Sequence, residues 1–250
     1  MDNQRITGPG IRTGVFIKTA SPPVVEVLGL SGLDFGVIDA EHAPFDRGQM
    51  DLMLLAGRAA DLPLLVRVAD KSAATILQAL DLGAHGVLVP HVDSAEQARA
   101  VVARARYRGG ERGYSGSQRS SGYGTRGMKA SLDAGDATVV MCQIESVAGL
   151  QACAEIAAVP GVAGLFVGRA DLTLAMGLED SRAPAVLAAT YQVLETARAA
   201  GRIPGMAVAN VAEAREFVGH GATWFVVGSD QGLLREGARA VAAAAIGART

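Results

Sequence analysis

The sequence predicts a single (β/α)₈ barrel, or TIM barrel, with residues 1–250 forming one domain. Three observations support this fold class. The length of 250 residues is typical of one such barrel. Eight short runs rich in Val, Ile, Leu and Phe alternate with segments of helical periodicity. Most of these runs are continuous rather than alternating, which is expected for parallel strands buried on both faces.

The predicted elements follow one another at regular intervals. The eight predicted strands are 14–19, 35–39, 64–68, 86–89, 138–144, 163–168, 203–208 and 223–228. Asp46, Ser94 and Asn210 are typical N-caps of the helices that follow them. Further helices are predicted over 184–200 and 232–245. An open doubly wound sheet is the alternative, but no G-x-G-x-x-G motif follows the first strand, so dinucleotide binding has no support.

The composition limits the kinds of partner that we expect. The net charge of −2 gives no basic field for nucleic acid, and no apolar run is long enough for a membrane span. Only 4% of residues are aromatic, which predicts a core of branched aliphatic side chains. Cys142 and Cys153 fit neither a zinc motif nor a disulfide framework. The N-terminus lacks an apolar signal core, so we expect a cytoplasmic protein.

One segment, residues 107–127, interrupts the alternation of strands and helices. It is rich in Gly, Ser and Arg and has no apolar period. A loop of this length in a compact domain is usually functional or disordered. It is therefore either a solvated linker or a segment that shapes the mouth of the barrel, where Arg112 and Arg119 could meet an anionic substrate.

Polar residues follow several of the predicted strands at their carboxyl ends, where TIM-barrel enzymes carry their chemistry. They are Asp39 and His42 after the second strand, Arg67 on the third, Gln143 and Glu145 on the fifth, and Asp171 after the sixth. Two carboxylates at neighbouring strand ends can share a hard divalent cation such as Mg²⁺ or Mn²⁺. Each of these residues alone could equally be structural, as a helix cap or an ion-pair partner. Their common position at one rim favours a functional site.

Short motifs at the same positions resemble the HpcH/HpaI aldolase family. They are G-L-D-F-G-V-I-D-A-E-H-A-P, L-L-V-R-V, Q-I-E-S, V-G-R-A-D-L-T and the weaker G-A-H-G-V-L-V-P-H-V. Their order and spacing agree over nearly the whole chain. The resemblance implies a metal-dependent, class II aldolase that reversibly cleaves 4-hydroxy-2-oxo acids to pyruvate, or a close analogue such as hydroxypyruvate, and an aldehyde.

The resemblance also implies roles for individual residues. Glu145 and Asp171 would bind a divalent metal ion, Mg²⁺, Mn²⁺ or Co²⁺. Pyruvate would be seated by Gln143 and by the backbone of Gly168, Arg169 and Ala170. Arg67 would stabilise the enolate oxygen, and His42, oriented by Asp39, would be the acid/base. These roles suit the chemistry, because retro-aldol cleavage needs a base for the 4-hydroxyl proton and positive charge where the enolate forms.

The resemblance leaves several points open. Asp81 is the nearest match to an aspartate that, in the family, can come from a neighbouring subunit. Many members have Pro where this chain has Arg169, whose side chain could face substrate or pair outward. Members are commonly homohexamers with an exchanged C-terminal helix, and the apolar face of 232–245 is compatible with that or with packing on its own barrel.

Other functions compete with the aldolase. Lys18, on the first predicted strand, is the sole candidate for a class I Schiff-base mechanism, and no partner for it is evident from the sequence. The rival functions are a CoA-thioester lyase of the citrate-lyase β-subunit type, for which clear basic features are lacking, and a barrel that only binds an oxoacid.

Overall fold

The architecture is a closed parallel barrel of eight strands, and it confirms the predicted fold class. The structure is a computed structural model that describes residues 3–247, so the two ends of the predicted domain, residues 1, 2 and 248–250, lie outside the description. The strands are β1 (Arg12–Ile17), β2 (Phe35–Asp39), β3 (Leu64–Arg67), β4 (Gly86–Val89), β5 (Val139–Ile144), β6 (Gly164–Val167), β7 (Ile203–Val208) and β8 (Trp224–Ser229). Each strand pairs in parallel with the next, and β8 pairs with β1. Every predicted strand agrees with the structure to within two residues at either end.

Helices surround the barrel. They are α1 (Gln4–Thr7), α2 (Pro22–Gly29), α3 (Arg47–Ala59), α4 (Ala73–Asp81), α5 (Ala95–Ala105), α6 (Met128–Asp136), α7 (Val147–Gln151), α8 (Cys153–Ala158), α9 (Arg169–Ala175), α10 (Pro184–Ala199), α11 (Val211–Val218) and α12 (Asp230–Gly247). The three predicted N-caps are confirmed, since the side chains of Asp46, Ser94 and Asn210 each accept a hydrogen bond from the backbone N–H three residues later. None of the described helices is both long and apolar enough to cross a membrane.

The core has two parts. Aliphatic side chains fill the layer between the strands and the outer helices, as the composition predicts. The barrel interior differs from that prediction, because it is centred on aromatic rings. Phe35 stacks on Trp224 with ring centroids 4.1 Å apart, and Phe166 meets Trp224 edge-on at 5.8 Å. Gly14 makes this packing possible, since a Cβ there would overlap the ring of Phe35. The low aromatic content did not prevent an aromatic interior, because the few aromatic residues are concentrated there: Phe16, Phe35, Phe166 and Trp224 are all buried inside the barrel.

The 107–127 loop lies at the opposite end of the barrel from the predicted site. It joins α5 to α6 and contains a 3₁₀ helix, Arg119–Gly124. The Arg119 side chain lies beside Gly83, just before β4 begins. The interpretation that this loop shapes the mouth of its own barrel is therefore wrong, because the loop follows a helix and so reaches the amino ends of the strands. Asp81 anchors it through Arg112 Nη2 at 2.9 Å and Gln118 Nε2 at 3.0 Å.

The C-terminal helix α12 begins beside the barrel mouth and then leaves it. The Asp230 carboxylate accepts hydrogen bonds from the backbone N–H groups of Lys18 at 2.9 Å and Thr19 at 3.0 Å, which attaches the start of α12 to the end of β1. Nearly all side chains over 231–244 are exposed, including Leu234 and Val241. The alternative in which this helix packs on its own barrel is thus not what the structure shows.

Candidate active site

Asp39 and Arg67 form a buried ion pair at the carboxyl end of the barrel. They are neighbours because β2 and β3 pair in a register that sets Asp39 opposite Arg67. Arg67 donates through Nε to Oδ1 at 2.9 Å and through Nη2 to Oδ2 at 2.7 Å, the two-bond geometry that suits a guanidinium and a carboxylate. Burial raises the pKa of Asp39, but the hydrogen bonds and charge of Arg67 outweigh it and leave the pKa below its ordinary value. Asp39 is therefore an ionised carboxylate.

A second cation, Lys18, also contacts Asp39. Lys18 follows β1 directly, and its Nζ lies 3.1 Å from Asp39 Oδ2 with the side chain 29% exposed. The absence of a partner for Lys18, expected from the sequence, is thus wrong. Sequence reasoning missed the pair because the two residues are 21 positions apart along the chain and meet only through the β1–β2 register. Lys18 and Arg67 thus share Asp39, and Arg67 Nε also lies 3.3 Å from Glu41 Oε2, so the two cations face two carboxylates.

His42 lies in the turn after β2, but Asp39 does not hold its ring. The backbone N–H of His42 donates to Asp39 Oδ1 at 3.2 Å. The imidazole Nε2 instead lies 3.7 Å from Glu41 Oε2, and the side chain is 53% exposed. We expected Asp39 to orient the His42 ring, and the structure does not show this contact. The Asp39 carboxylate is instead occupied by Arg67 and Lys18. Asp39 positions the turn, and Glu41 is the carboxylate nearest the ring.

Three side chains at the mouth form a candidate metal centre, which we call the Glu–His–Glu cluster: Glu41, His91 and Glu145. One ligand atom from each lies within 4.8 Å of the others. His91 Nδ1 is 3.2 Å from Glu145 Oε1, and His91 Nε2 is 3.7 Å from Glu41 Oε1. Burial raises the pKa of Glu41, with a smaller contribution from Glu145 and an opposing one from Arg67.

The backbone of His91 supports the cluster. Its φ of +52° lies in the left-handed region, which few residues other than glycine adopt. The cost is offset by a 2.7 Å hydrogen bond from its N–H to Glu145 Oε1. Sequence reasoning assigned no role to His91 or Glu41, although both lie within motifs that resemble the family. A histidine directly after a strand, next to Pro90, was the available signal.

Glu145 lies at the centre of this arrangement and is only 2% exposed. Its carboxylate accepts hydrogen bonds from Gln143 Nε2 and from the His91 N–H. Gly168, which follows β6, leaves room for it, since a Cβ there would lie 2.5 Å from Glu145 Oε2. Two oxygens nearby, Gln143 Oε1 and Glu41 Oε2, are buried without a hydrogen bond, and Glu41 Oε2 lies 3.3 Å from Arg67 Nε. A buried amide oxygen without a donor, beside two carboxylates, fits a hard divalent cation.

Asp171 and Ala170 belong to the first turn of α9, which begins at Arg169, directly after Gly168. Because Gly168 touches Glu145, this turn lies beside the Glu–His–Glu cluster, although Asp171 is not one of its three members. The Arg169 side chain pairs with Glu213 at the start of α11, and its guanidinium lies 5.2 Å from the centroid of Phe217. The outward pairing of Arg169 is therefore what the structure shows, and only its backbone remains next to Glu145.

Comparison with known proteins adds an independent observation. The sequence pattern of the HpcH/HpaI aldolase/citrate lyase family matches residues 12–237. A 5-keto-4-deoxy-D-glucarate aldolase of Klebsiella pneumoniae subsp. pneumoniae is 36% identical over 234 residues, which cover 93% of this chain and 91% of the relative.

Solved structures agree with this match. An HpcH/HpaI aldolase/citrate lyase family protein of Burkholderia cenocepacia J2315 superposes with a TM-score of 0.91 and 31% identity, covering 99% of this chain and 98% of the other. An HpcH/HpaI aldolase of Desulfitobacterium hafniense DCB-2 superposes with a TM-score of 0.87 and 27% identity, covering 96% and 95%. The similarity thus extends over the whole barrel.

Proposed function

Because this chain belongs to the HpcH/HpaI aldolase/citrate lyase family and is a carbon–carbon lyase, we propose that it reversibly cleaves 4-hydroxy-2-oxo acids to pyruvate, or a close analogue such as hydroxypyruvate, and an aldehyde. The observation that carries this proposal is the Glu–His–Glu cluster beside the Asp39–Arg67 pair. It combines oxygen and nitrogen ligands for a divalent cation with a fixed guanidinium at the same mouth.

The resemblance to the family implies a divalent metal ion, and the side chains around Glu145 fit one. We propose that Glu145 and Asp171 hold Mg²⁺, Mn²⁺ or Co²⁺, with the neighbouring Glu41 and His91 as further ligand candidates. Such an ion supplies a Lewis acid to the keto oxygen of the substrate. Gln143 and the backbone of Gly168–Ala170 border this position and would seat the oxoacid.

The chain's own residues account for the remaining chemistry. A base takes the proton of the 4-hydroxyl, the C3–C4 bond breaks, and the electron pair moves towards the keto oxygen of the pyruvate unit. We assign the base to His42, whose ring is accessible at the mouth and lies near Glu41. Arg67, held by Asp39, presents a positive charge where negative charge develops.

The acceptor is proposed to be an anionic aldehyde. The 5-keto-4-deoxy-D-glucarate named for the relatives is a six-carbon diacid, so release of pyruvate leaves a three-carbon aldehyde that keeps the second carboxylate. The partly exposed ammonium group of Lys18, beside the Asp39–Arg67 pair, suits that carboxylate. This diacid is therefore the first substrate to assay.

Two further proposals concern assembly and location. The exposed Leu233, Leu234 and Val241 of α12 suit a homo-oligomer, which we propose to be a hexamer assembled through this helix. A cytoplasmic location, without nucleic-acid or membrane partners, stays a prediction from the sequence.

The test of the proposed activity is exchange of the pyruvate methyl protons with solvent, followed by NMR. This half-reaction requires no knowledge of the aldehyde. We expect exchange with Mg²⁺ or Mn²⁺, its loss with EDTA, and its loss in Glu145→Ala. Folded protein that gives no exchange with any of the metals would remove the pyruvate aldolase assignment and favour the CoA-thioester lyase or a binding role.

Three variants separate the two candidate ligand sets. If Asp171 is a ligand, Asp171→Asn weakens Mn²⁺ binding at least as much as His91→Gln does. A loss confined to Glu41→Gln and His91→Gln would instead assign the ion to the Glu–His–Glu cluster. Electron paramagnetic resonance of free Mn²⁺ measures the affinity without any turnover.

A further inference from the structure

A second polar cavity, of about 210 Å³, lies at the amino end of the barrel. We call it the basal cavity. It lies far along the barrel from the active site, because its wall includes Leu64, where β3 begins, whereas Arg67 ends the same strand. The polar side chains in its wall are those of Arg58, His85, Arg119, Ser120 and Arg126.

Arg119 is buried in this wall with unused donors. Its side chain is 9% exposed, and Nη2 donates to Asp51 Oδ1 at 2.6 Å. Its Nε and Nη1 atoms are also buried, and neither has a hydrogen-bond partner. The adjacent Ser120 Oγ is also buried and lies near the Tyr107 hydroxyl. Buried N–H groups of a charged side chain without an acceptor are costly, so this set of donors calls for an oxygen-rich ligand.

The remaining wall groups are also donors. Arg126 donates through Nη1 to the Ser120 carbonyl at 3.1 Å and keeps its other N–H groups. His85 Nδ1 accepts from the Leu64 N–H at 3.4 Å, which leaves the proton of a neutral ring on Nε2. Among the described residues, no carboxylate lines the cavity. Three arginines against the carboxylate of Asp51 leave a net charge of about two positive units, since the nearby Asp61 is paired with Arg5.

We propose that the basal cavity binds a small dianion, carrying a phosphate or two carboxylates, and that Arg119 and Arg126 are its main ligands. Guanidinium groups recognise such oxygen-rich anions through paired N–H···O bonds. The site is separate from the proposed catalytic chemistry and does not depend on it, since no residue of its wall belongs to the active site.

Calorimetric titration with inorganic phosphate tests the proposal, with malonate as the dicarboxylate arm and sodium chloride at matched ionic strength as the reference. The titrations use metal-free protein carrying Glu145→Ala and Lys18→Met, which removes the metal position and the lysine assigned to the carboxylate of the acceptor. We expect saturable binding of one dianion per chain. Arg119→Met and Arg126→Gln weaken it about tenfold or more, and Arg99→Gln, at an exposed position on α5, does not change it. Stronger binding of phosphate or of malonate identifies the preferred group.

The variant Asp51→Asn distinguishes a ligand site from a structural ion pair. It removes the carboxylate that competes for Arg119 but keeps the guanidinium charge, so we expect the affinity to be equal or higher. An equal loss of affinity in Asp51→Asn and Arg119→Met would overturn the proposal, as would heats that sodium chloride reproduces. Arg126→Gln, which breaks no ion pair, still decides the matter if Arg119→Met does not fold.

Discussion

At the scale of single residues, Asp39 is the best example of a side chain whose surroundings define its role. Arg67, Lys18 and the His42 N–H all donate to it, so its charge is already matched. A fully partnered carboxylate is a poor proton acceptor, whereas the accessible ring of His42 has no such competitors. The geometry therefore favours His42 as the base, with Asp39 as the residue that positions Arg67 and the turn.

Lys18 is expected to recognise the carboxylate of the acceptor. In Lys18→Met, Asp39 keeps both hydrogen bonds to Arg67, so pyruvate proton exchange persists. The KM for an anionic aldehyde rises about fivefold, since a partly exposed ion pair contributes about 1 kcal/mol. Steady-state kinetics with an anionic and a neutral aldehyde measures the difference, and Lys18→Arg restores it. An equal rise with the neutral aldehyde would contradict this role.

Gly168 is expected to tolerate no side chain. In Gly168→Ala, the new methyl group would lie 2.5 Å from Glu145 Oε2, so the carboxylate must shift and metal affinity falls about tenfold or more. Mn²⁺ titration measures the loss. Gly48→Ala is the control, because its Cβ would meet nothing closer than 3.4 Å. Unchanged affinity in Gly168→Ala would place the ion away from Glu145.

Glu213 is expected to stabilise the fold in a pH-dependent way. Burial raises its pKa, but the hydrogen bonds from the Ala209 N–H and Arg169 outweigh burial. The pKa of Glu213 therefore lies below its ordinary value of 4.5. A depressed carboxylate pKa contributes stability above pH 4.5, and this contribution is lost as the pH falls through the folded-state pKa. Glu213→Gln therefore costs about 1–3 kcal/mol at pH 7 and progressively less below pH 4.5.

Urea denaturation at several pH values measures this difference. Glu195→Gln is the control, since Glu195 is mostly exposed and its closest cation lies 3.9 Å away. A difference between Glu213→Gln and the parent protein that stays constant from pH 7 to pH 3 would show that ionisation of Glu213 does not contribute.

At the scale of elements, caps and strands are local and could be predicted. Asp46 and Gln49 form a complete capping box at the start of α3, with each side chain accepting from the other's backbone N–H. We expect Asp46→Ala to lower the free energy of unfolding by about 1 kcal/mol, whereas Asp46→Asn keeps most of it. Urea denaturation of the two variants checks this, and equal losses would mean that the cap does not act through its side-chain oxygen.

The parts that sequence reasoning missed depend on contacts between elements. Lys18 contacts Asp39 because the register of β1 and β2 brings the two residues together. Glu41 lies near His91 because the turns after β2 and β4 converge. No local period or cap encodes such a meeting. The 107–127 loop could be recognised as irregular from its composition. Which end of the barrel it occupies follows only once it is identified as a connection that comes after a helix. The amino-acid composition likewise gives the number of aromatic residues but not their positions in the fold, so it could not predict the aromatic interior of the barrel.

At the scale of the whole molecule, α12 is expected to drive assembly. Leu234 is 76% exposed and Leu233 is 49% exposed, and both lie close to the apolar Val27 of α2 in one groove. We expect the parent chain to sediment as an oligomer, and Leu233→Ser with Leu234→Ser to sediment at a lower mass with unchanged circular dichroism. Val147→Ser, at an exposed position elsewhere, is the control. An unaltered mass in the double variant would exclude α12 as the assembly element.

The attachment of α12 to β1 through Asp230 has a consequence for how the protein responds to its own concentration. The same carboxylate accepts hydrogen bonds from the N–H groups of Lys18 and Thr19, so the helix proposed to meet other copies and the lysine proposed to face the acceptor share one anchor. We expect any effect of assembly on acceptor binding to equal the effect of acceptor binding on assembly, since such coupling is reciprocal. If the assembled form binds the acceptor more tightly, dilution weakens acceptor binding, and saturating acceptor shifts the equilibrium towards the assembled form.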